Sequence, residues 1–315
     1  MVSLHHFLVI AAMLPSLESI DFKIAVSSLA IADPSFPRDL PSVVGLPNLR
    51  SLALALNSYH FAIELLSRLE LPSVTSVKIC VDVLLPTLNT LLGFLPSNPS
   101  MVLPAMTDPT AVEVWVQSDR YSTGVRVRSG ACSVELELSV PLVTRFDWCT
   151  AVERRLVDIM HIFLTAPITT LTIQGLHDPV SLSTWRDFFT CFPGLETIEV
   201  HGHDSLRTLW TALGAPLSTP ASTARSDTRA PLAQQTVTCP SLKSVAMEGT
   251  YTIPSVSSTL FAVQNALWYR IGRGHRLGRL SLCFDRSYVP KPGDDEYWKQ
   301  LGELVTRLEV VPSNS

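Results

Sequence analysis

Charge is scarce in this chain. Of 315 residues, 17% are charged, the formal net charge is -4 and the sequence pI is about 6.1. No long basic tract occurs, so the electrostatic footprint of a nucleic-acid binder is missing and no nucleic-acid partner is expected. The six cysteines, at 80, 132, 149, 191, 239 and 283, form no C-x-x-C pair, which argues against a zinc knuckle or a redox dithiol. No N-x-S/T sequon with a non-proline middle residue is present. These absences favour a reduced compartment, cytoplasmic or nuclear. No apolar run reaches the ~20 residues a bilayer span needs, so no membrane partner is expected. Phe7–Leu14 is apolar but lacks a preceding Lys or Arg, and reads as a helix packed on the first strand rather than a signal segment.

What is abundant is aliphatic material and proline. Hydrophobic residues make up 46%, and 23 prolines outnumber 14 glycines. That pairing describes a chain with a large core, broken often into short elements. The breaks are periodic. Pro15-Ser-Leu17-Glu-Ser-Ile20-Asp-Phe22 recurs from Pro47, Pro72, Pro193 and Pro240 as P-x-Φ-x-[S/T]-Φ-x-Φ, with Φ apolar. Ile168–Ile173 and His275–Leu282 keep the apolar spacing without that proline. The last part of each copy alternates apolar and polar residues, the period of a half-buried strand. Helical periodicity fills the intervals at Tyr59–Leu69, Ala151–Leu164, Leu182–Phe192, Leu206–Leu213, Thr259–Ile271 and Tyr297–Leu308. Each proline falls after a helix and before a strand, where it stops the first and costs the second no ladder bond.

Strand, turn, helix, turn is therefore the unit. The expected fold is α/β: an irregular leucine-rich-repeat solenoid, with a curved parallel sheet and outer helices, spanning 1–315 as one domain. The first apolar positions stand at 17, 49, 74, 168, 195, 242 and 277, which leaves one long interval of 94 residues. It holds the β-rich stretches Ala111–Gln117, Tyr121–Arg128 and Cys132–Val140, so 111–140 reads as an irregular repeat with a hairpin-like excursion. Residues 215–238, rich in Ser, Thr, Ala and Pro, read as a disordered loop. Helix Leu4–Leu14 is expected to cap one end, and a strand-like piece at Arg307–Val311 to close the other.

The P-x-L-x-[S/T]-L-x-L units with helices of varied length resemble the repeat portion of fungal F-box/leucine-rich-repeat proteins. In that family an F-box binds the adaptor of a cullin-RING ubiquitin ligase and the repeats recruit a substrate. The resemblance therefore implies a protein partner on the repeats. It implies a cullin-ligase adaptor as partner only where an F-box lies upstream, because this chain starts almost directly in a repeat at Leu14-Pro15.

Several clusters bear on chemistry. His201-Gly-His203-Asp204 has histidines at i and i+2, but no third ligand and a helix N-cap role open to Asp204. His177-Asp178 sits in a similar place after the preceding strand and reads as a turn. Arg270, Arg273, His275, Arg276 and Arg279, interleaved with glycines, read as a helix C-terminus closed by glycine, with phosphate contact the other reading. Asp294-Asp295-Glu296 reads as the acidic first turn of a helix. No G-x-S-x-G elbow occurs. The expectation is thus no catalytic residue, no cofactor and no metal. The outward strand positions form the binding candidates, foremost Asp21, Lys23, Lys78, Thr172, Gln174, Glu199, His201 and Glu248. A protein-binding scaffold is the leading reading. A stand-alone structural or regulatory repeat protein and a hydrolase-type α/β enzyme are the alternatives.

Overall fold

The computed structural model describes residues 4–23, 43–56, 58–82, 90–96, 99–117, 122–140, 150–175, 180–202, 206–215, 237–249, 253–284 and 294–312. They fall into two compact units, Met1–Ala166 and Pro167–Ser315. Both are α/β, with strands that are mostly parallel. Most of the expected loop 215–238 lies outside the described residues, as do His177, Asp178, His203 and Asp204.

The first unit contains helices α1 (Leu4–Met13), α2 (Tyr59–Ser67), α3 (Pro99–Val102) and α4 (Ala151–Ile162). Its strands are β1 (Ser19–Lys23), β2 (Val44–Gly45), β3 (Ser51–Leu56), β4 (Leu69–Glu70), β5 (Ser76–Asp82), β6 (Ala111–Gln117), β7 (Ser122–Ser129) and β8 (Cys132–Ser139). The sheet order is β1-β3-β5-β8-β7-β6, with β2 and β4 forming a separate short parallel pair. Strands β1, β3, β5 and β8 run parallel, while β7 is antiparallel to both β8 and β6. The long interval is therefore a meander whose last strand rejoins the parallel array. The apolar N-terminal run forms α1, burying Phe7, Leu8 and Ala11, with the Phe7 ring 4.6 Å from Phe22 of β1.

The second unit alternates strictly: β9 (Thr170–Gln174), α5 (Leu182–Cys191), β10 (Thr197–His201), α6 (Arg207–Leu213), β11 (Ser244–Gly249), α7 (Ile253–Gly272), β12 (Leu277–Phe284), α8 (Asp294–Leu304) and β13 (Val305–Pro312). Its strands lie in chain order and all run parallel.

The repeated motif sets the register. Ile20, Leu52, Val77 and Val134 lie opposite one another across β1, β3, β5 and β8. Leu171, Ile198, Val245, Leu280 and Leu308 do the same across β9 to β13. Each is buried or half-buried on the helical side, and burying a Leu, Ile or Val contributes about 1.5–3 kcal/mol. A one-residue slip would turn each such row toward water, so the alternation holds the register.

Two local devices recur with the motif. The residue before each proline accepts a hydrogen bond from the N–H three residues on: Leu17 to Leu14, Leu49 to Leu46, Val74 to Leu71, Leu195 to Phe192, and Leu242 to Cys239. Proline is thus the second residue of a β-turn, where its fixed φ is pre-set. The carbonyl just before several strands then accepts two successive N–H groups at the start of the next. Glu18 O takes Arg50 and Ser51, Arg50 O takes Thr75 and Ser76, Thr169 O takes Glu196 and Thr197, and Glu196 O takes Lys243 and Ser244.

Two expectations need correction at the C-terminus. The helix expected over Tyr297–Leu308 ends at Leu304, and the strand expected at Arg307–Val311 begins at Val305. Val305-Thr-Arg-Leu308-Glu-Val310 lies in register with Leu277-Gly-Arg-Leu280-Ser-Leu282, so it is a further copy of the motif. Helical and strand periodicity agree at Val305 and Leu308, and pairing with β12 decides between them.

Candidate functional site

Alternation gives each sheet a second, polar face. In the first unit its central row runs Asp21, Ala53, Lys78, Glu135, Arg126, Glu113 across six strands. Charges of opposite sign stand next to one another along most of it. Lys78 Nζ lies 2.7 Å from Glu135, and Arg126 lies 2.6 Å from Glu135 and 2.9 Å from Glu113. Lys78 also reaches Glu137 at 3.4 Å, and Arg128 reaches Glu113 at 3.4 Å. The hydrogen bond to Glu135 raises the Lys78 pKa against the effect of burial. Burial pushes the Glu135 carboxyl up, but hydrogen bonds from Lys78 and Arg126 prevail and hold it below the usual carboxylate range. Beside this row, Trp115 lies opposite Gly124 with the Arg126 guanidinium 5.6 Å from its ring centre. Glu137 stands opposite Cys80, whose thiol is pushed up to about 12, by burial first and then by Glu137 and Asp82.

In the second unit the corresponding rows are Thr172, Glu199, Ala246, Ser281, Glu309 and Gln174, His201, Glu248, Cys283, Val311. His201 Nδ1 is 2.9 Å from Glu248. Gly202, at φ 85, lets the chain turn directly after His201 while its N–H donates to Glu248 O.

The eight candidates therefore divide. Thr172, Gln174, Glu199, His201 and Glu248 form one contiguous patch on β9, β10 and β11. Asp21, Lys23 and Lys78 belong to the first unit, where Asp21 and Lys78 flank Ala53. Asp21, Lys23 and Gln174 are exposed, while Thr172, Glu199, His201 and Glu248 are half-buried. Sequence reasoning missed Glu113, Trp115, Arg126, Glu135 and Glu137. Their signal was present as charged residues alternating with Val and Leu in 111–139, but the pairing that aligns them is long-range.

The basic run at 270–279 is engaged within the fold. Arg270, 1% exposed, donates to Thr238 O at 2.6 Å and Cys239 O at 3.0 Å. His275 Nδ1 lies 3.1 Å from Pro240 O, and Arg276 donates to Glu303 O in the last turn of α8 and to Val305 O just after it. Arg279 pairs with Glu309 at 2.6 Å, and Arg273 lies 5.6 Å from the Tyr269 ring centre. Helix α7 closes with Gly274 at φ 81, the Gly274 N–H bonding to Ile271 O and the His275 N–H to Arg270 O, a Schellman arrangement. These contacts give the arginines structural work in place of a phosphate.

A groove of about 620 Å³ runs beside α4, lined by residues including Thr90, Glu153, Arg154, Asp158 and His161. Asp158 is committed to structure there: it accepts from the Thr90 hydroxyl, from Leu91 N–H at 3.1 Å, and pairs with buried Arg155 at 3.3 Å. Among the described residues no group of three or more His, Cys, Asp and Glu side chains is placed to hold a metal ion. Among them, too, no helix is long and apolar enough to cross a membrane. No protein-family model, curated protein or solved structure matches the chain.

Proposed function

We propose that this chain is a non-catalytic protein-binding scaffold, an irregular leucine-rich-repeat solenoid whose polar sheet face receives a protein partner. In this reading it works as the substrate-recognition repeats of F-box ubiquitin-ligase receptors do. The supporting observation is the patch of Thr172, Gln174, Glu199, His201 and Glu248, five polar side chains in adjacent register positions on three parallel strands. Such a polar surface of mixed charge suits a protein or peptide better than a small apolar ligand.

One observation favours the second unit over the first as the binding surface. The charges on the first unit's face neutralise one another through Lys78, Glu135, Arg126 and Glu113, which favours structural reinforcement there. We therefore take the second unit's patch, where Thr172, Gln174 and Glu199 stand beside the His201–Glu248 pair, as the surface to test. The test is to tag the natural gene at its C-terminus and recover bound proteins while the proteasome is inhibited. A Thr172→Arg/Glu199→Arg variant and an Arg186→Glu variant on the exposed side of α5 serve as comparison. A partner lost with the first and kept with the second supports the proposal. Equal recovery by both variants overturns it. Recovery of a cullin adaptor supports the ligase role, and its absence leaves a stand-alone scaffold.

A further inference from the structure

We infer that the chain forms a symmetric dimer by antiparallel pairing of β13 with β13 of a second copy. This rests on the second unit's edge strand and is independent of what the polar face binds. Strand β13 ends the order β9-β10-β11-β12-β13, and among the described residues nothing pairs with its outer side. It is eight residues long, and Val310 and Val311 on it are 43% and 45% exposed. A long open edge with exposed valines is a template for another strand.

The direction of the free backbone groups follows from the ladder. Arg279 N–H donates to Lys243 O, toward β11. Backbone groups alternate sides along a strand, so those of Leu280 face β13, where Leu280 lies opposite Leu308. Arg307 and Glu309 then point back at β12. The Val305 carbonyl lies on that same side, since it accepts from Arg276 at 2.9 Å. The N–H and C=O groups of Thr306, Leu308 and Val310 are left facing outward.

A twofold axis through Leu308 makes this edge complementary to itself. Leu308 meets Leu308 of the second copy, and Thr306 meets Val310. All three pairs are of the hydrogen-bonded kind, giving about six backbone bonds. Pro312, which has no N–H, falls beyond the last such pair.

Charge decides the orientation. On the polar face Arg279 lies opposite Arg307, and the two arginines share one carboxylate, Glu309, at 2.6 and 2.7 Å. Antiparallel pairing about Leu308 places Glu309 of the second copy directly across from Arg307, so each arginine row gains a carboxylate. Opposite charges directly across strands are favourable, and like charges are not. On the other face the apolar row continues from Leu280 through Leu308 into its copy.

The experiment is sedimentation of the full chain, with two charge variants. The wild type is expected at twice 34.6 kDa at micromolar concentration. Arg307→Glu opposes Glu to Glu, and Glu309→Arg opposes Arg to Arg, so each variant alone is expected to be monomeric. Mixed in equal amounts they carry opposite charges across the axis, and the dimer is expected to return. Recovery on mixing also shows that both variants are folded. Val310→Pro, which removes an outward N–H and no ladder bond, is expected to be monomeric with unchanged circular dichroism. A monomeric wild type overturns the inference and leaves the edge for a strand of another protein. Single variants that remain dimeric, or a mixture that stays monomeric, also overturn it.

Discussion

Trp115 lies across the bare backbone of Gly124 on the polar face of the first unit, directly opposite it in the β6–β7 pair. A side chain at Gly124 would overlap both the indole and the Leu136 carbonyl oxygen. The glycine is therefore the seat of a tryptophan that is only 6% exposed. An aromatic covering a cross-strand glycine also pins register. Gly124→Ala is expected to destabilise the chain by about 1–3 kcal/mol, because backbone cannot move aside as a side-chain tip can. Urea unfolding followed by tryptophan fluorescence measures this, and an unchanged midpoint refutes it.

The carboxylate of Glu135 serves both Lys78 and Arg126. Since both cations stay partly in water, Glu135→Ala is expected to cost on the order of 1 kcal/mol. The pH dependence has a definite sign. The Glu135 pKa is lowered in the folded state, so its contribution is present above the ordinary carboxylate pKa and is lost as pH falls through the folded value. Melting temperatures of the wild type and Glu135→Gln should differ at pH 7 and converge as pH falls below the ordinary carboxylate range. A gap that persists or widens in acid contradicts this.

Arg270 ties the chain just before β11 to the last turn of α7. Its two hydrogen bonds satisfy the carbonyls of Thr238 and Cys239, and Cys239 sits in a left-handed conformation at φ 47. Arg270→Met matches the apolar stem but leaves both carbonyls without that donor. A loss of about 2–4 kcal/mol is expected, since bonds from charged donors contribute about 1.5–3 kcal/mol each and relief of the buried charge offsets part. Arg270→Lys, with a point charge in place of a fork, should recover only part of the loss. Chemical denaturation of the two variants checks the ranking.

Cys80 faces Glu137 and its thiol is pushed up to about 12, so almost none of it is thiolate at neutral pH. Thiolate is the reactive form, and labelling by iodoacetamide at pH 8 should be slow at Cys80. Glu137→Gln removes one of the charges that raise the thiol and should speed labelling several-fold. Mass spectrometry of the modified peptide reads the rate, and no acceleration would show that Glu137 does not contribute to the shift.

Much of the architecture is legible in the sequence because each strand carries its own turn and its own alternation. Pro193 to Val200 is enough to place the turn, the strand and its buried face. Helices were readable in position but less so in length: α7 begins at Ile253 rather than Thr259, with Pro254 accommodated in its first turn. The boundary between α8 and β13 was not legible, since neither Pro nor Gly separates Leu304 from Val305. The face charges of 111–139 were visible one strand at a time. Their order Lys78–Glu135–Arg126–Glu113 depends on β8 joining β5 while β6 and β7 double back, and no local pattern encodes which strand is the neighbour.

The carbonyl shared by two N–H groups at several strand starts has a consequence for how such a chain can change over time. Glu18, Arg50, Thr169 and Glu196 each fix the following strand from within the motif itself, so the count of residues between motifs is left free. Insertions there lengthen a connection and leave the rows aligned. Loss of Ser281, between Leu280 and Leu282, would instead invert the faces beyond it, turning Leu282 and Phe284 to the polar side and Cys283 inward. Tolerance to insertion and deletion in this protein is therefore governed by parity inside the strands and is nearly indifferent to length outside them.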